Sequence, residues 1–295
     1  MDSFAAGAIA GITEVLTMYP LDVVKTRSQL SVGKSMGTIA SLRNIVKQEG
    51  MRRLYRGIIP PIFMETPKRA TKFAANDMWG QFYRKLFHIE KTTQSLSILT
   101  GASAGATETI IVVPFELVKV RLQDKQNAHL YSGTMDCLKK IIKSEGIFAL
   151  YNGFEATLMR HITWNAGYFG VIFQVKSQLP AKPKMLNDFI AGAIGGCVGT
   201  TLNTPFDVVK SRIQNSPRTN LPSKYNWSIP SLFIVAREEG FLALYKGFVP
   251  KVLRLGPGGG ILLVVYNTLM DFFEKYKLST TGNEIRPSNH SSGKN

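Results

Sequence analysis

PLDVVKTRSQ (residues 20–29) sets an acid and two bases directly after a proline, beside sequence apolar enough to enter a membrane. The phrase returns as PFELVKVRLQ (114–123) and PFDVVKSRIQ (205–214), at offsets of 94 and 91 residues. A repeat period of that size outranks any guess from length, so the 295-residue chain reads as a triplicate. Ahead of each proline, and running through its motif, lies a small-residue-rich apolar helix, spanning 4–28, 95–123 and 187–214. Each carries glycines four apart: Gly7 and Gly11, Gly101 and Gly105, Gly192 and Gly196. That spacing gives a helix a flat strip on which another backbone packs closely in lipid.

A polar linker with a short amphipathic helix follows each motif. GTIASLRNIVKQEG, TMDCLKKIIKSEG and SIPSLFIVAREEG show helical apolar spacing and end on Glu-Gly, a helix stop. Then come EGMRRLYRG (49–57), EGIFALYNG (145–153) and EGFLALYKG (239–247), and after them second apolar helices at 59–86, 155–178 and 249–275. Each is long enough to cross a hydrocarbon core about 30 Å thick. The expected fold class is therefore an all-α membrane protein: six transmembrane helices in three pseudo-threefold repeats, with short amphipathic helices at one end. The boundaries are 1–90, 91–182 and 183–278, followed by a polar tail, 279–295, expected to be disordered. An even number of crossings puts both termini on one side and the short helices on the other.

Composition agrees. Hydrophobic residues make up 44% of the chain, and 36 Lys and Arg against 20 Asp and Glu give a net charge of +16. The mean hydropathy is +0.01. A soluble chain of this charge would bind nucleic acid, but six long apolar segments oppose that reading and favour anionic lipid and an anionic substrate. Cys137 and Cys197 cannot build a disulfide framework and read as packing residues. No basic region precedes an apolar core at the N-terminus as in a cleavable signal. There is no phosphate-binding glycine loop, no metal-ligand spacing and no Ser–His–Asp arrangement, so the sequence calls for no cofactor, no metal and no enzyme chemistry.

Acid and base in each motif stand three residues apart and share a helix face. Single interfacial Lys and Arg usually snorkel to the headgroups; three copies with one sign order and spacing do not fit that explanation. Charges at membrane depth are costly unless paired or wetted. Around a threefold axis the expected ring is Asp22 with Lys119, Glu116 with Lys210, and Asp207 with Lys25. The prolines bend the three helices inward, and the ring closes one end of a central cavity as a gate.

The tripled PxDxxKxR or PxExxKxR motif, with EGxxxxY(R/K)G between, resembles the mitochondrial carrier family over nearly the whole chain. The resemblance implies a six-helix bundle of the inner mitochondrial membrane that alternates between open sides, functional as a monomer, with both termini on the intermembrane-space side. It makes the ring a matrix gate, braced from beneath by Gln29, Gln123 and Gln214. It implies cardiolipin at helix N-termini beside Gly57, Gly153 and Gly247, in keeping with anion binding by free backbone donors. The family's cytosolic network is depleted here. Its positions hold Asp77 with Gly80, Phe173 with Lys176 and Asn267 with Met270, leaving Asp77–Lys176 as the one pair and a weaker cytosolic gate. Asn152 stands where the other repeats have Arg56 and Lys246.

Residues that break the threefold pattern choose an asymmetric substrate. PKRATKFAAND (67–77) aligns Lys68, Lys72 and Asn76 on one stripe. MRHITWNAGYF (159–169) aligns Arg160, Trp164 and Tyr168 with His161 beside them, and VLRLGPGGG (252–260) carries Arg254. By resemblance, Lys72, the Arg160–His161 pair and Arg254 fall on the family's three substrate-contact positions, with Lys68 and Trp164 as further candidates. Several cations around a wet cavity suit a small di- or polyanion, since Arg grips carboxylate through two hydrogen bonds and Lys acts as a point charge. METPKRATKFAAND and MRHITWNAGYFG further resemble the branch of the family that handles oxodicarboxylates, which implies antiport of 2-oxoadipate and 2-oxoglutarate; malate or citrate is the alternative. Arg69, one residue off the stripe, suits either an acid or a lipid. His161, Trp164 and Tyr168 serve equally as packing. Glu14 and Glu108, six residues before their prolines where the third repeat has Gly199, either balance nearby cations or sense protons.

Overall fold

The computed structural model describes residues 2–33, 36–88, 93–178, 184–217 and 223–284, and it is helical throughout. Six long helices carry the fold: α1 (Asp2–Leu30), α3 (Ile59–Phe87), α4 (Gln94–Gln123), α6 (Phe154–Gln178), α7 (Lys184–Asn215) and α9 (Phe248–Glu284). The short helices α2 (Thr38–Glu49), α5 (Thr134–Glu145) and α8 (Ser228–Glu239) lie between the long helices of each repeat. Each ends on the expected glutamate, and the next glycine takes a positive φ of 84–86° that L side chains avoid. A 3-10 turn follows in every repeat, at Met51–Tyr55, Ile147–Tyr151 and Phe241–Tyr245.

Helix α1 runs on through Pro20, α4 through Pro114 and α7 through Pro205. Three long segments, Ala6–Leu30, Gln94–Gln123 and Phe241–Glu274, are both long and apolar enough to cross a membrane by themselves.

The short-helix end is the packed end. In each repeat the motif helix, short helix and 3-10 turn enclose a small core: Val23, Val24, Ile45 and Leu54 in the first, Leu117, Leu122, Ile141 and Leu150 in the second, Val209, Ile213, Val235 and Leu244 in the third. Cys137 belongs to the second core, and burial pushes its thiol up to about 12, which removes its reactivity. Cys197 departs from expectation: it is exposed on α7 rather than packed.

Two further expectations change. Helix α9 continues to Glu284, so residues 279–284 extend a helix instead of beginning a disordered tail; residues 285–295 lie outside the described residues. In the third repeat the tight helix approach is not made by Gly192 and Gly196. A Cβ on Gly196 would meet nothing within 4 Å, whereas one on Gly167 of α6 would stand 2.9 Å from the Cα of Gly199. The close seam between α6 and α7 therefore uses Gly199, three residues further along.

Candidate functional site

The repeat motifs fold into two layers of charge. In the upper layer Lys119 Nζ lies 3.0 Å from Asp22 Oδ2, Lys210 Nζ 2.5 Å from Glu116 Oε2, and Lys25 Nζ 3.1 Å from Asp207 Oδ2. The three expected inter-repeat pairs are all present. Directly beneath, Gln29, Gln123 and Gln214 are fully buried. Gln29 Oε1 accepts from Ser211 Oγ at 2.7 Å, while the buried side chains of Gln123 and Gln214 make no hydrogen bond of good geometry.

The lower layer uses the second base of each motif. Arg27 forms a fork with Glu49 at 2.6 and 2.9 Å, and Arg121 and Arg212 hold Glu145 and Glu239 in the same way. Each fork joins a long helix to its own short helix. The remaining nitrogen reaches the next repeat: Arg27 Nε donates to the Gln123 carbonyl at 3.1 Å, Arg121 Nε to that of Gln214 at 3.2 Å, and Arg212 Nε to that of Gln29 at 3.1 Å. Hydrogen bonding from Arg27 holds the Glu49 carboxyl below its ordinary value. At Glu239 burial pushes the carboxyl up, but hydrogen bonds from Arg212 and Lys246 outweigh it and bring the pKa down to about 2.

A third stitch uses the residue before each repeat's turn glycine. Arg56 donates to the Tyr131 carbonyl, Asn152 Nδ2 to that of Ile213 at 2.8 Å, and Lys246 Nζ to that of Ser31 at 2.7 Å. Asn152 thus departs in charge and keeps the hydrogen-bonding role. The turn glycines themselves, Gly57, Gly153 and Gly247, have φ of 78–82°. A Cβ on Gly153 would sit 2.9 Å from Gln214 Cγ, and one on Gly247 3.0 Å from the Lys25 carbonyl. That packing role against the neighbouring repeat was not visible in the turn motif.

Above the ring the interior opens. Arg160 and Arg254 keep 21% and 31% side-chain exposure although helices surround them, so the ring's upper face meets water. Arg254 Nη1 lies 2.5 Å from Asp22 Oδ1, and Nη2 3.2 Å from Glu14 Oε1. Arg160 lies 3.7 Å from Asp207 and 4.0 Å from Glu116, and its Nη2 donates to His161 Nε2 at 2.9 Å. Because guanidinium only donates, that ring nitrogen is unprotonated. His161 also packs on α4, where a Cβ on Gly105 would stand 3.0 Å from it. Arg69 pairs with two acids, Glu65 at 2.6 Å and Glu14 at 3.5 Å. Lys68 and Lys72 form no ion pair among the described residues, and Lys72 is exposed. Trp164 stacks on Tyr168 with centroids 5.0 Å apart and packs against Gly199, at the α6–α7 seam. Asp77 accepts from Gln81 at 2.9 Å on the exposed half of α3.

Lys251 was missed in the sequence. Its Nζ lies 2.6 Å from Asp207 Oδ2 and donates to Asn203. The available signal was its position three residues before Arg254, on the same face of α9. Among the described residues no group of His, Cys, Asp and Glu is arranged to hold a metal.

A tripled charge ring under a wet, cationic chamber defines a membrane transporter. The sequence profile of the mitochondrial carrier protein family matches residues 1–86, 90–183 and 181–277, and the chain belongs to that family. It is thus a multi-pass carrier of the mitochondrial inner membrane, with the short helices on the matrix side. It is 63% identical over 280 residues to the probable mitochondrial 2-oxodicarboxylate carrier of Schizosaccharomyces pombe, covering 92% of this chain and 94% of that protein. To mitochondrial citrate transporter D of Aspergillus niger it is 62% identical over 289 residues, covering 93% and 94%. To mitochondrial 2-oxodicarboxylate carrier 2 of Saccharomyces cerevisiae it is 56% identical over 291 residues, again covering 93% and 94%.

Proposed function

We propose that the chain exchanges 2-oxodicarboxylates, 2-oxoadipate and 2-oxoglutarate among them, by alternating access, with Asp22, Glu116, Asp207 and their lysines as the matrix gate. One observation carries the reading: Arg160 and Arg254, the arginines best placed to grip carboxylates, are the same groups that hold the gate acids. A dianion bridging them would replace protein carboxylates with its own. The arginines would then no longer hold Asp22, Glu116 and Asp207 in the closed ring, and substrate contacts would lower the barrier to opening. Lys72, Lys68 and the Arg160–His161 pair draw the substrate down, and Trp164 shapes the wall. Gln29, Gln123 and Gln214 fill the space under the ring.

In the opposite state Asp77 and Lys176 close the cytosolic side, and both termini face the intermembrane space. Cardiolipin headgroups take the backbone donors at the turns of Gly57, Gly153 and Gly247. At the first turn a recess of about 380 Å³ with Arg52, Arg53 and Gly57 on its walls supports this. One chain supplies all three repeats, so a monomer suffices.

The test is purified protein in liposomes preloaded with 2-oxoglutarate and offered a panel of labelled carboxylates. Uptake of 2-oxoadipate and 2-oxoglutarate is expected. Exchange confined to malate would overturn the substrate assignment in favour of a carrier for another dicarboxylate, and exchange confined to citrate would favour the tricarboxylate reading that the likeness to citrate transporter D supports.

A further inference from the structure

We infer that Glu14 sets how many negative charges the cavity accepts, favouring dicarboxylates over tricarboxylates; this rests on the substrate reading above. Glu14 stands two turns above Asp22 on α1 and lies between two arginines. Its Oε1 is 3.2 Å from Arg254 Nη2 on α9 and its Oε2 3.5 Å from Arg69 Nη2 on α3. Arg69 is anchored in turn by Glu65 at 2.6 Å. A continuous chain of charge, Glu65–Arg69–Glu14–Arg254–Asp22–Lys119, therefore runs from the cavity wall to the gate. Glu14 also lies beside Gly258 of α9, where an added Cβ would stand 3.4 Å from Oε1, so the carboxylate sits close against that helix.

The asymmetry lies in what faces each substrate arginine. Arg160 and Arg254 both stand seven residues after their repeat's turn glycine, and the first repeat has Met64 there. The α1 residue beside Arg254 is Glu14. Its counterpart on α7, beside α6 and Arg160, is Gly199, whose Cβ would meet the Trp164 carbonyl at 3.0 Å. Arg254 thus carries an acid above the ring in addition to its gate acid, whereas the ion pairs of Arg160 among the described residues are to the gate acids Glu116 and Asp207. A dicarboxylate places one group on Arg160 and one on Arg254. A third carboxylate, as in citrate, has to lie against Glu14, and two like charges a few ångströms apart repel strongly in a partly dry site.

The experiment measures kcat/KM for citrate and for 2-oxoglutarate in proteoliposomes made with wild type, Glu14→Gln, Glu14→Asp, Arg69→Gln and the double variant. Glu14→Gln should raise the citrate to 2-oxoglutarate ratio by roughly tenfold, and Glu14→Asp should leave it near wild type. Arg69→Gln, which strips Glu14 of one counter-charge, should lower the ratio, and the double variant should lose that effect. A Glu14 that only supports the fold would depress both substrates alike, and an unchanged ratio overturns the inference. If Glu14→Gln does not transport, the ratio of thermal protection by citrate and by 2-oxoglutarate in detergent reads the same selectivity. Wild type that exchanges no 2-oxodicarboxylate at all sinks the substrate reading instead.

Discussion

Lys119 on α4 reaches Asp22 on α1 across 3.0 Å, although 97 residues separate them in the chain, and its ammonium lies 5.6 Å from the centroid of the Tyr19 ring. Arg254 from the third repeat takes the other oxygen of the same carboxylate. All three repeats thus meet at Asp22, as they do at Asp207 through Lys25 and Arg160. Its two cations come from outside its own repeat, whereas Glu116 and Asp207 each keep one from within, Arg160 and Lys251. Opening the ring leaves Asp22 with no partner from its own repeat, so this acid has most to gain from water or substrate-driven rearrangement.

Reversing that pair tests its contribution. Asp22→Lys alone should abolish exchange, because it sets three cations together. Adding Lys119→Asp should restore part of it, to a few per cent or more, and full recovery is not expected because Arg254 then faces a lysine. Initial rates in proteoliposomes decide, and equal inactivity of single and double variants would argue against direct pairing.

Arg160→Ala and Arg254→Ala should each lower exchange by more than about twentyfold, since a buried or partly buried carboxylate contact to Arg is lost along with its geometry. The protein should still fold, because each gate acid retains a lysine. Near-normal uptake by both variants, with unfolding midpoints near wild type, would remove them from the site.

Arg121 is 1% exposed and forked to Glu145. Arg121→Ala leaves that glutamate and the Gln214 carbonyl without their donor, a loss of about 3 kcal/mol for a buried pair broken on one side. A lowered unfolding midpoint in detergent checks it, and a Glu145→Gln/Arg121→Met double variant should recover part of the difference.

Glu239 is ionised down to about pH 2 in the folded protein, against 4.5 unperturbed. A carboxyl whose folded pKa is depressed contributes stability that is fully present above its unfolded value and lost as pH falls through the folded one. The matrix-side belt should therefore weaken between about pH 4.5 and 2. Glu239→Gln should be less stable than wild type at pH 7, with the gap narrowing across that window in acid unfolding experiments.

Gly247 holds a φ of 82° with Lys25's carbonyl 3.0 Å from the place of its missing Cβ. Gly247→Ala should cost about 1–2 kcal/mol from the left-handed backbone alone, and more from the contact. Thermal unfolding compared with Gly50→Ala, a positive-φ glycine facing open space, separates the two contributions.

Much of the fold was legible because repetition is a statement about geometry. Three identical charge phrases at near-equal spacing imply a threefold axis, and an axis dictates that acids meet the bases of the next repeat; Asp22, Glu116 and Asp207 do so. The second bases were harder. Nothing in KxR says that Arg27 forks to Glu49 while its remaining nitrogen caps Gln123, because that depends on where a linker helix folds back. Lys251 escaped because a lysine near a proline at a helix start looks interfacial until Asp207 is found beside it.

The sequence by itself determined the number of spans, their pairing into repeats, the glycine-ended short helices and the partners in the ring, since each follows from local periodicity multiplied by symmetry. Only the tertiary structure decided what broke that symmetry: Arg69 turned to Glu65 and Glu14, Gly199 rather than Gly196 at the tight seam, Trp164 in a helix interface, and Glu14 beside one arginine of two. Those outcomes depend on which neighbouring side chains compete for the same few ångströms, and spacing along one chain carries no record of that competition.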